Sequence, residues 1–312
     1  MHALVTGGSG FIGSTLVDHL LAGGHQVTVV DNFSRGVTSN LPEDNHQLSV
    51  VPIDIRDRSL RSVFAGAAPE VVFHLAGHID QQSSIEDPHA DAEINVLGTL
   101  NVAQATRRCG ARKLVFASSG GSIYGEVTRL PTDETAATDP ISPYAVSKLA
   151  GEMYLNSMSR LHGVQCTHLA LANVYGPRQH PHGESGVIAV FTEALLNGAP
   201  TKLFGDGGNT RDYVFVADVA RAFIAAAGEA GNRRRYNIGT GVQTTDRQVH
   251  RLVAEAIGVP DEPEIVAGRP GDLRASALDS GAARRDLGWE PRVDVASGIA
   301  ATVAAARQLA RS

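Results

Sequence analysis

The sequence has few cysteines, no long apolar run and no excess of positive charge. Only two of its 312 residues are cysteine, Cys109 and Cys166, and both adjoin apolar segments, which indicates free thiols in a reducing compartment. No apolar run approaches the roughly 18 residues of a membrane span, and MHALVTGG leads directly into a predicted strand without a basic leader. The formal net charge of −6 argues against general binding to nucleic acids or membrane surfaces. We therefore predict a cytoplasmic protein without a nucleic-acid or membrane partner.

Internal repeats and low-complexity segments are also lacking, and short apolar runs instead alternate with helical patterns. These runs are rich in Val, Leu and Phe without strict polar alternation, which is typical of strands buried on both faces. The predicted strands are 3–6, 26–30, 48–53, 71–75, 113–117 and 166–170, and the helices between them are 11–23, 57–66, 90–109 and 143–162. This alternation predicts an α/β fold with a doubly wound parallel sheet of the Rossmann type.

The pattern loosens after residue 172. The remaining predicted helices are 187–197, 217–228, 245–257 and 295–310, with short strands near 201–204, 212–216 and the start of 234–241. We predict a sheet domain over 1–172, to which parts of 212–238 return, and a smaller C-terminal domain over 173–312.

A glycine-rich turn follows the first predicted strand. In VTGGSGFIG, glycines stand at Gly8-x-Gly10-x-x-Gly13 and at Gly7-x-x-Gly10-x-x-Gly13, and a helix begins directly afterwards. Side chains there would keep the backbone away from a pyrophosphate, which the N–H groups of the helix N-terminus attract. Asp31 ends the second strand, where a carboxylate accepts hydrogen bonds from ribose hydroxyls and repels a 2′-phosphate. The pattern predicts a dinucleotide site that prefers NAD to NADP, a preference that nearby Arg35 would soften.

Two side chains of SPYAVSK suit proton transfer. Tyr144 and Lys148 are four residues apart at the start of a predicted helix and therefore share a face. A nearby ammonium favours the phenolate, so we expect Lys148 to lower the pKa of Tyr144. Such a pair can remove a proton from a sugar hydroxyl while hydride leaves the same carbon. The stretch SSGGSIYG, residues 118–125, would provide hydroxyls and room for a sugar.

These motifs resemble those of the extended short-chain dehydrogenase/reductase family, in its sugar-nucleotide epimerase branch, and most closely those of UDP-glucose 4-epimerases. TGGSGFIG, HLAG, SSGGSIYG, SPYAVSK, NVYGPRQ and TRDYVFVADVA follow one another in the family's order across nearly the whole chain. The resemblance makes 1–172 an NAD-binding domain and 173–312 a UDP-sugar domain. It implies 4-epimerisation of UDP-glucose or UDP-galactose, and of N-acetylated forms, with tightly bound NAD.

The resemblance also assigns cofactor-binding residues. It implies that the cofactor contacts Gly7, Gly10, Phe11, Ile12, Gly13, Asp31, Asn32, Phe33, Ser34, Arg35, Asp54, Ile55, Leu75, Ala76, Gly77, Asn95, Ser118, Tyr144 and Lys148. Within this set, Tyr144 would be the acid/base, and Lys148 would hold the nicotinamide ribose. Asp54 has an alternative, because a carboxylate at the end of VPID also suits a helix N-cap.

One position departs from the family. A Ser or Thr often stands four residues before the tyrosine of the YG pair, where this chain has Gly120. In an extended segment Ser122 would point the same way as position 120 and Ser119 the opposite way. We therefore favour Ser122 as the partner of the sugar O4, with Ser119 in reserve. The Asp-Glu pair of 4,6-dehydratases is replaced by Gly121 and Ser122, which argues against that elimination.

The resemblance further implies a UDP-sugar site in the C-terminal part. Asn173 would bind the diphosphate, Arg211 and Arg269 would pair with its phosphates, and Asp272 would accept from the uridine ribose. The residues expected near the uracil base are Val187, Ile188 and Phe204. Ser276 is small, which would leave room for an N-acetyl group. We expect no metal site, because His180, His182 and Glu184 lie in a Pro/Gly loop without a fourth ligand.

Three other functions compete with UDP-hexose epimerisation. A UDP-glucuronate 4-epimerase would use the same machinery and a carboxylate site built from Arg178 or the serines of 118–122. A net oxidoreductase would release its cofactor, and a cofactor-sensing binding protein would bind NAD without turnover. By resemblance we also expect a homodimer formed through helices 90–109 and 143–162.

Overall fold

The computed structural model describes residues 1–181, 186–268 and 273–309. Its strands are β1 (His2–Thr6), β2 (Gln26–Asp31), β3 (Leu48–Pro52), β4 (Val71–His74), β5 (Lys113–Ser119), β6 (Gln165–Leu171), β7 (Asn173–Tyr175), β8 (Lys202–Phe204), β9 (Thr210–Arg211), β10 (Tyr213–Phe215), β11 (Arg234–Ile238), β12 (Thr244–Thr245) and β13 (Glu264–Val266).

The helices lie between these strands and after them. They are α1 (Phe11–Ala22), α2 (Leu60–Ala67), α3 (Gln81–Glu86), α4 (Pro88–Ala92), α5 (Thr99–Cys109), α6 (Pro143–His162), α7 (Val187–Leu196), α8 (Val216–Ala226), α9 (Asp246–Ile257), α10 (Gly281–Leu287) and α11 (Val295–Leu309). A π-helical segment, Glu93–Gly98, joins α4 to α5, and a short 3-10 helix covers Thr38–Asn40.

A parallel sheet forms the centre of the described chain. Its strand order is β11-β6-β5-β4-β1-β2-β3. The order reverses between β1 and β4, which pair from Ala3↔Val71 to Thr6↔His74. In open α/β sheets, ligands bind at such a switch point, beyond the carboxyl ends of the strands. The predicted fold class is confirmed.

Neighbouring residues of a strand point to opposite sides of the sheet. Because the apolar residues of these strands lie on both sides, both faces of the sheet are apolar, and helices cover both. On one side Ala3 and Val5 pack with Leu16 of α1 and Phe223 of α8. On the other side Leu4 packs in a second buried cluster, whose further members include Val72, Phe64, Val102 and Phe116. A third cluster lies in the C-terminal part of the chain and contains Tyr175, Ile188, Phe191, Leu203, Val249, Val253, Ile299 and Val303.

The sheet also receives a strand from late in the chain. Residues Arg234–Ile238 of β11 pair in parallel with β6, from Arg234↔Thr167 to Ile238↔Leu171. The division into domains over 1–172 and 173–312 stays a prediction. Within the described residues, every helix is too short or too polar to cross a membrane.

Candidate active site

The glycine-rich turn lies directly beyond β1 and leads into α1. Gly7 has φ +71°, and a Cβ there would lie 2.7 Å from the Ala76 backbone nitrogen. A Cβ on Gly13 would lie 2.0 Å from the Gly7 carbonyl oxygen. Gly10 is the N-cap of α1, without a side-chain cap and without an acidic residue in the first turn. The first N–H groups of α1 are therefore available to an anion, and the backbone packs too closely for side chains.

Asp31 connects this turn with the loop after β2. Its Oδ2 accepts from the Ser9 N–H at 2.9 Å and its Oδ1 accepts from the Phe33 N–H at 2.9 Å. The side chain is buried, and each oxygen keeps a second lone pair that can accept from a ribose hydroxyl. Phe33 has φ +56°, and the Ser34 N–H donates to Asn32 Oδ1 at 3.0 Å, so the loop turns sharply beside Asp31.

Asp54 lies at the far end of this groove. Its carboxylate accepts from Arg56 Nε and Nη2, both at 2.9 Å, and from Asn32 Nδ2 at 2.8 Å. These bonds, above all those from Arg56, lower the pKa of Asp54 to about 2. The helix-cap alternative for Asp54 is wrong, because α2 begins at Leu60 with Ser59 as its N-cap.

A surface cavity of about 530 Å³ opens beside Asp54 and is lined also by Arg56, Asp57, Glu93 and Leu97. Ile55 is buried under this end of the groove, where a Cβ on Gly98 would lie 2.6 Å from its Cδ1.

The turn after β4 forms the other wall of the groove. Leu75, Ala76 and Gly77 are partly buried there. A Cβ on Gly77 would lie 2.7 Å from Asn95 Oδ1 and 3.2 Å from Lys148 Nζ. Asn95 is buried beneath the turn and bonds both backbone groups of His78, accepting from its N–H at 2.8 Å and donating to its carbonyl at 3.0 Å.

Tyr144 and Lys148 meet at the start of α6. Lys148 Nζ lies 5.8 Å from the centre of the Tyr144 ring and donates to the Ala117 carbonyl at 3.2 Å. Burial lowers the pKa of Lys148 to about 8, and the charge of Asp91 acts against this shift. Burial also raises the pKa of Tyr144, while a hydrogen bond with Ser119 lowers it and Asp91 raises it. We expected Lys148 to lower the pKa of Tyr144 overall. That expectation is wrong for the polypeptide alone, because desolvation of the phenol raises its pKa more than Ser119 lowers it.

The serines occupy different places from those expected. β5 ends at Ser119, and residues 120–124 form a turn in which the Ile123 N–H donates to the Ser119 carbonyl at 3.1 Å. The alternation argument that favoured Ser122 fails because it requires an extended segment. Ser119 is the side chain that lowers the pKa of the Tyr144 phenol, and Ser122 Oγ donates to Ser119 Oγ at 2.8 Å. Ser122 thus contacts Ser119, and its role as the partner of the sugar O4 stays a prediction.

Two neighbouring residues point away from the phenol. The Ser118 hydroxyl donates to Glu152, whose carboxylate pairs with Arg235 at 2.8 Å behind β5. The predicted cofactor contact of Ser118 therefore does not involve its hydroxyl in this arrangement. Gly120 is buried, and a Cβ there would lie 2.4 Å from Leu278 Cδ1. Position 120 thus faces the core.

Several predicted substrate residues lie near these groups. Asn173 begins β7 and faces Gly121, where a Cβ would lie 3.6 Å from Asn173 Oδ1. Arg211 Nη1 donates to the carbonyls of Thr210 and Leu273, both at 2.8 Å. The Ser276 N–H donates to the Thr210 carbonyl at 3.1 Å, so Ser276 and Arg211 lie on adjoining segments.

The residues predicted to lie near uracil differ in exposure. Phe204 ends β8 and is partly buried, as is Val187 at the start of α7. Ile188 has no exposed surface and belongs to the third cluster, so its predicted contact with the base would require the side chain to leave the core. Arg269 and Asp272 lie outside the described residues, as do His182 and Glu184.

Two arginines near the groove are paired. Arg35 Nη2 lies 3.5 Å from Asp80 Oδ2, which brings the loop after β2 towards the start of α3. Arg178 Nη1 lies 2.7 Å from Asp18 Oδ2 on α1. Arg178 is thus held by a carboxylate of the protein.

The motifs did not single out some neighbours of Tyr144. Ser84 of α3 is buried, and its Oγ accepts from the Tyr144 N–H at 3.2 Å. Asp91 and Glu152 are buried carboxylates of α4 and α6. Glu152 stands one helical turn after Lys148, and this spacing was the one signal available in the sequence. Ser84 and Asp91 lie far from Tyr144 in the sequence, and nothing in the sequence linked them to it.

The sheet, the glycine turn and the Tyr144–Lys148 pair define a dinucleotide-dependent enzyme of the Rossmann type. The chain belongs to the NAD dependent epimerase/dehydratase family, whose model matches residues 3–239. The resemblance noted from the motifs is confirmed. NAD is the cofactor of this family, and the glycine contacts with the carboxylate of Asp31 fit its pyrophosphate and ribose.

Similar proteins match over almost their full length. A UDP-glucose 4-epimerase of Mycolicibacterium smegmatis is 53% identical over 305 residues, which cover 97% of each chain. The crystal structure of a UDP-glucose 4-epimerase with UDP-glucose from Thermotoga maritima has a TM-score of 0.95 and 44% identity, covering 99% of this chain and 100% of that one. A Thermus thermophilus UDP-glucose 4-epimerase in complex with NAD has a TM-score of 0.91 and 43% identity, covering 98% and 99%.

Proposed function

We propose that this protein is a UDP-sugar 4-epimerase that inverts C4 of UDP-glucose or UDP-galactose through a transient 4-keto sugar. The observation that carries the proposal is the meeting of Tyr144, Lys148 and Ser119 beyond the carboxyl end of β5, next to the glycine turn. The similar enzymes that carry this name support the choice of substrate.

Bound NAD would supply reversible hydride transfer at C4, to either face of the sugar. Tyr144 takes the O4 proton as the hydride leaves and gives it back when the keto group is reduced, so the cycle is neutral in protons. Ser119 can donate to Tyr144 while it accepts from Ser122, because a hydroxyl does both. This chain of bonds stabilises the phenolate, and we assign Ser122 to orienting Ser119.

The sugar must turn over between the two hydride steps, so the UDP part must hold the substrate. We propose that Asn173, Arg211 and Arg269 bind the diphosphate and that Asp272 accepts from the uridine ribose; Arg269 and Asp272 lie outside the described residues. The Arg211 guanidinium is held by two carbonyls. That arrangement restrains its position without neutralising its charge, which suits a phosphate. Ser276 would set the size of the sugar pocket from the adjoining segment.

The test is turnover of a panel of UDP-sugars by the purified holoenzyme and by three variants. We expect interconversion of UDP-glucose and UDP-galactose without added NAD, and a loss of turnover in Tyr144→Phe of at least ~100-fold. Ser119→Ala should lose more activity than Ser122→Ala, since Ser122 acts through Ser119. Unchanged turnover in Tyr144→Phe would contradict the proposal, and a larger loss in Ser122→Ala would restore Ser122 as the direct partner of O4.

UDP-glucuronate remains the second candidate substrate, since the same machinery would serve it. The geometry favours it less, because Arg178, one candidate for its carboxylate, is already paired with Asp18. Faster turnover of UDP-glucuronate than of UDP-glucose in the same panel would reverse this preference.

The surface of α6 supports the proposed homodimer. Val146, Met153, Tyr154 and Leu161 of α6 are exposed apolar side chains, as is Leu97 in the neighbouring π segment. Light scattering would show a mass of twice 32.8 kDa if two copies bury this face.

The free thiols Cys109 and Cys166 agree with the proposed cytoplasmic location.

A further inference from the structure

A buried carboxylate lies close to the proposed proton-transfer pair. Asp91, on α4, is 1% exposed. Its Oδ1 accepts from Asn95 Nδ2 at 2.9 Å and lies 3.0 Å from His78 Nδ1. Because a carboxylate can only accept, His78 carries a proton on Nδ1. The other ring nitrogen of His78 lies 3.0 Å from Ser83 Oγ, so the imidazole is held at both ends.

These bonds continue to the lysine. Asn95 Nδ2 also donates to Ser147 Oγ at 3.2 Å, which ties α4 and the π segment to α6. Asn95 Oδ1 accepts from the His78 N–H. The Gly77 backbone is packed so closely that a Cβ would reach both Asn95 Oδ1 and Lys148 Nζ. Asp91 therefore stands at one end of a continuous set of contacts that ends at the ammonium of Lys148.

The charge of Asp91 also acts on both members of the pair. It raises the pKa of the Tyr144 phenol, because a nearby negative charge disfavours a second one. It raises the pKa of the Lys148 amine, because it favours the ammonium. In both cases the carboxylate favours the protonated form.

We propose that Asp91, held by His78 and Asn95, is a positioning residue for Tyr144 and Lys148. Its carboxylate fixes the Gly77–His78 turn against Lys148, and its charge shifts the pH range of turnover through both groups. The proposal rests on the acid/base role of the pair given above. Its outcome can be separated from that role, because it concerns where the pH profile lies and not whether turnover occurs.

Other titratable groups are carried by the elements packed against α4 and by the turn beside it. They are His78 in the turn after β4, Asp80 and Glu86 at the two ends of α3, Glu93 in the π segment, and Tyr144, Lys148 and Glu152 on α6. Glu86 and Glu93 are exposed, Asp80 pairs with Arg35, and Glu152 pairs with Arg235.

The test compares Asp91→Asn with Asp87→Asn in the NAD-loaded enzyme. Asn keeps the shape and an acceptor oxygen at position 91 but removes the charge. Asp87 caps the same helix by accepting from the Ala90 N–H, and its side chain is exposed, so solvent screens its charge. We expect both limbs of the profile of kcat against pH to move to lower pH in Asp91→Asn, by about 1 pH unit. Asp87→Asn should keep the wild-type limbs.

A spectroscopic titration reports on the phenol directly. The ultraviolet absorbance of Asp91→Asn minus that of Asp91→Asn/Tyr144→Phe follows the ionisation of Tyr144 with pH. The same difference between wild type and Tyr144→Phe gives the reference. We expect Tyr144 to ionise at lower pH in the Asp91→Asn background. A purely structural role would reduce kcat without moving either limb or the phenol titration, and that result would overturn the proposal. If Tyr144→Phe is inactive and the limbs of the Asp91→Asn profile stay in place, this inference alone is overturned. If Tyr144→Phe is active, the proposed function is overturned.

His78→Phe provides a second arm that does not depend on folding of the Asp91 variant. It removes one hydrogen bond to the carboxylate, which leaves the negative charge less compensated. The limbs should then move to higher pH, opposite to Asp91→Asn. Limbs that stay in place in His78→Phe, or move the same way as in Asp91→Asn, would contradict the proposal.

Discussion

Replacing Gly120 by Ser restores the hydroxyl that related sequences often carry at this position, and the structure predicts that this hydroxyl would be harmful. A Cβ at position 120 would lie 2.4 Å from Leu278 Cδ1, 2.8 Å from the Ala170 carbonyl oxygen and 3.1 Å from the Ala170 carbonyl carbon. Neither neighbour can move easily. Ala170 pairs with Ser118 within the sheet, and the buried Leu278 donates its N–H to Asp212 at 3.1 Å.

The expected cost follows from this overpacking. Forcing extra atoms into a packed core costs about 1–3 kcal/mol. Gly121→Ser is the matched control, because its nearest neighbour would be Asn173 Oδ1 at 3.6 Å, an ordinary contact. We expect the free energy of unfolding of this control to stay within about 0.5 kcal/mol of wild type.

Urea unfolding followed by fluorescence measures the difference. The chain has one tryptophan, Trp289, which is buried and donates to the Asp218 carbonyl at 2.8 Å, so its emission reports on the fold. With an m value of about 3 kcal/mol/M, the urea midpoint of Gly120→Ser should fall by roughly 0.3–1 M. A wild-type midpoint with raised turnover of UDP-glucose would show that position 120 faces the sugar, and would refute the reasoning.

Three further predictions concern the pocket, the cofactor and pH. Ser276→Tyr should lower the ratio of turnover on UDP-N-acetylhexosamines to turnover on UDP-hexoses, and an unchanged ratio would rule out its gating role. Gly13→Ala should carry less NAD after purification, because its Cβ would lie 2.0 Å from the Gly7 carbonyl oxygen. The cofactor released on denaturation measures this loss. Gly66→Ala is the control and should keep its NAD, because the space around Gly66 is open. Burial lowers the pKa of His168 to about 4 from a usual value of 6.5. Between these two pH values the unfolded state binds a proton that the folded state does not. The free energy of unfolding therefore decreases as pH falls from 6.5 towards 4. His168→Gln should reduce the slope of unfolding free energy against pH in that range by about 1.4 kcal/mol per pH unit, and an unchanged slope would exclude His168 as a source of acid sensitivity.

Most of the fold could be predicted from the sequence, because buried parallel strands have a strong signal. Short apolar runs located all six N-terminal strands, and the glycine turn located the crevice between β1 and β4. The elements that were missed are short, namely the 3-10 helix, α3, β7, β9, β12, β13 and α10. Their few residues cannot show a period, and contacts with distant segments decide their conformation.

The site was predicted less completely, for a related reason. Motif spacing brought Tyr144 and Lys148 together, since both lie on one helix. The choice between Ser119 and Ser122 depended on where β5 ends, and a boundary of one or two residues is beyond what patterns can settle. Ile188 is buried in the third cluster, and its contact with the base stays a prediction, because apolar residues at the start of a helix look the same whether they face a pocket or a core. Asp91 was missed because its link to the pair runs through His78, 13 residues away, and through contacts with α6 that no spacing in the sequence shows.

The return of β11 to the sheet has a consequence for synthesis on the ribosome. When the chain has been translated as far as β6, that strand is the open edge of a six-stranded sheet. Six of its seven residues are buried in the finished structure. An uncovered edge of this kind pairs readily with other chains. More than sixty further residues must emerge before Arg234–Ile238 can cover it. The nascent protein is therefore most exposed to misassembly during that interval, and a chaperone that shields a strand edge would help it most there.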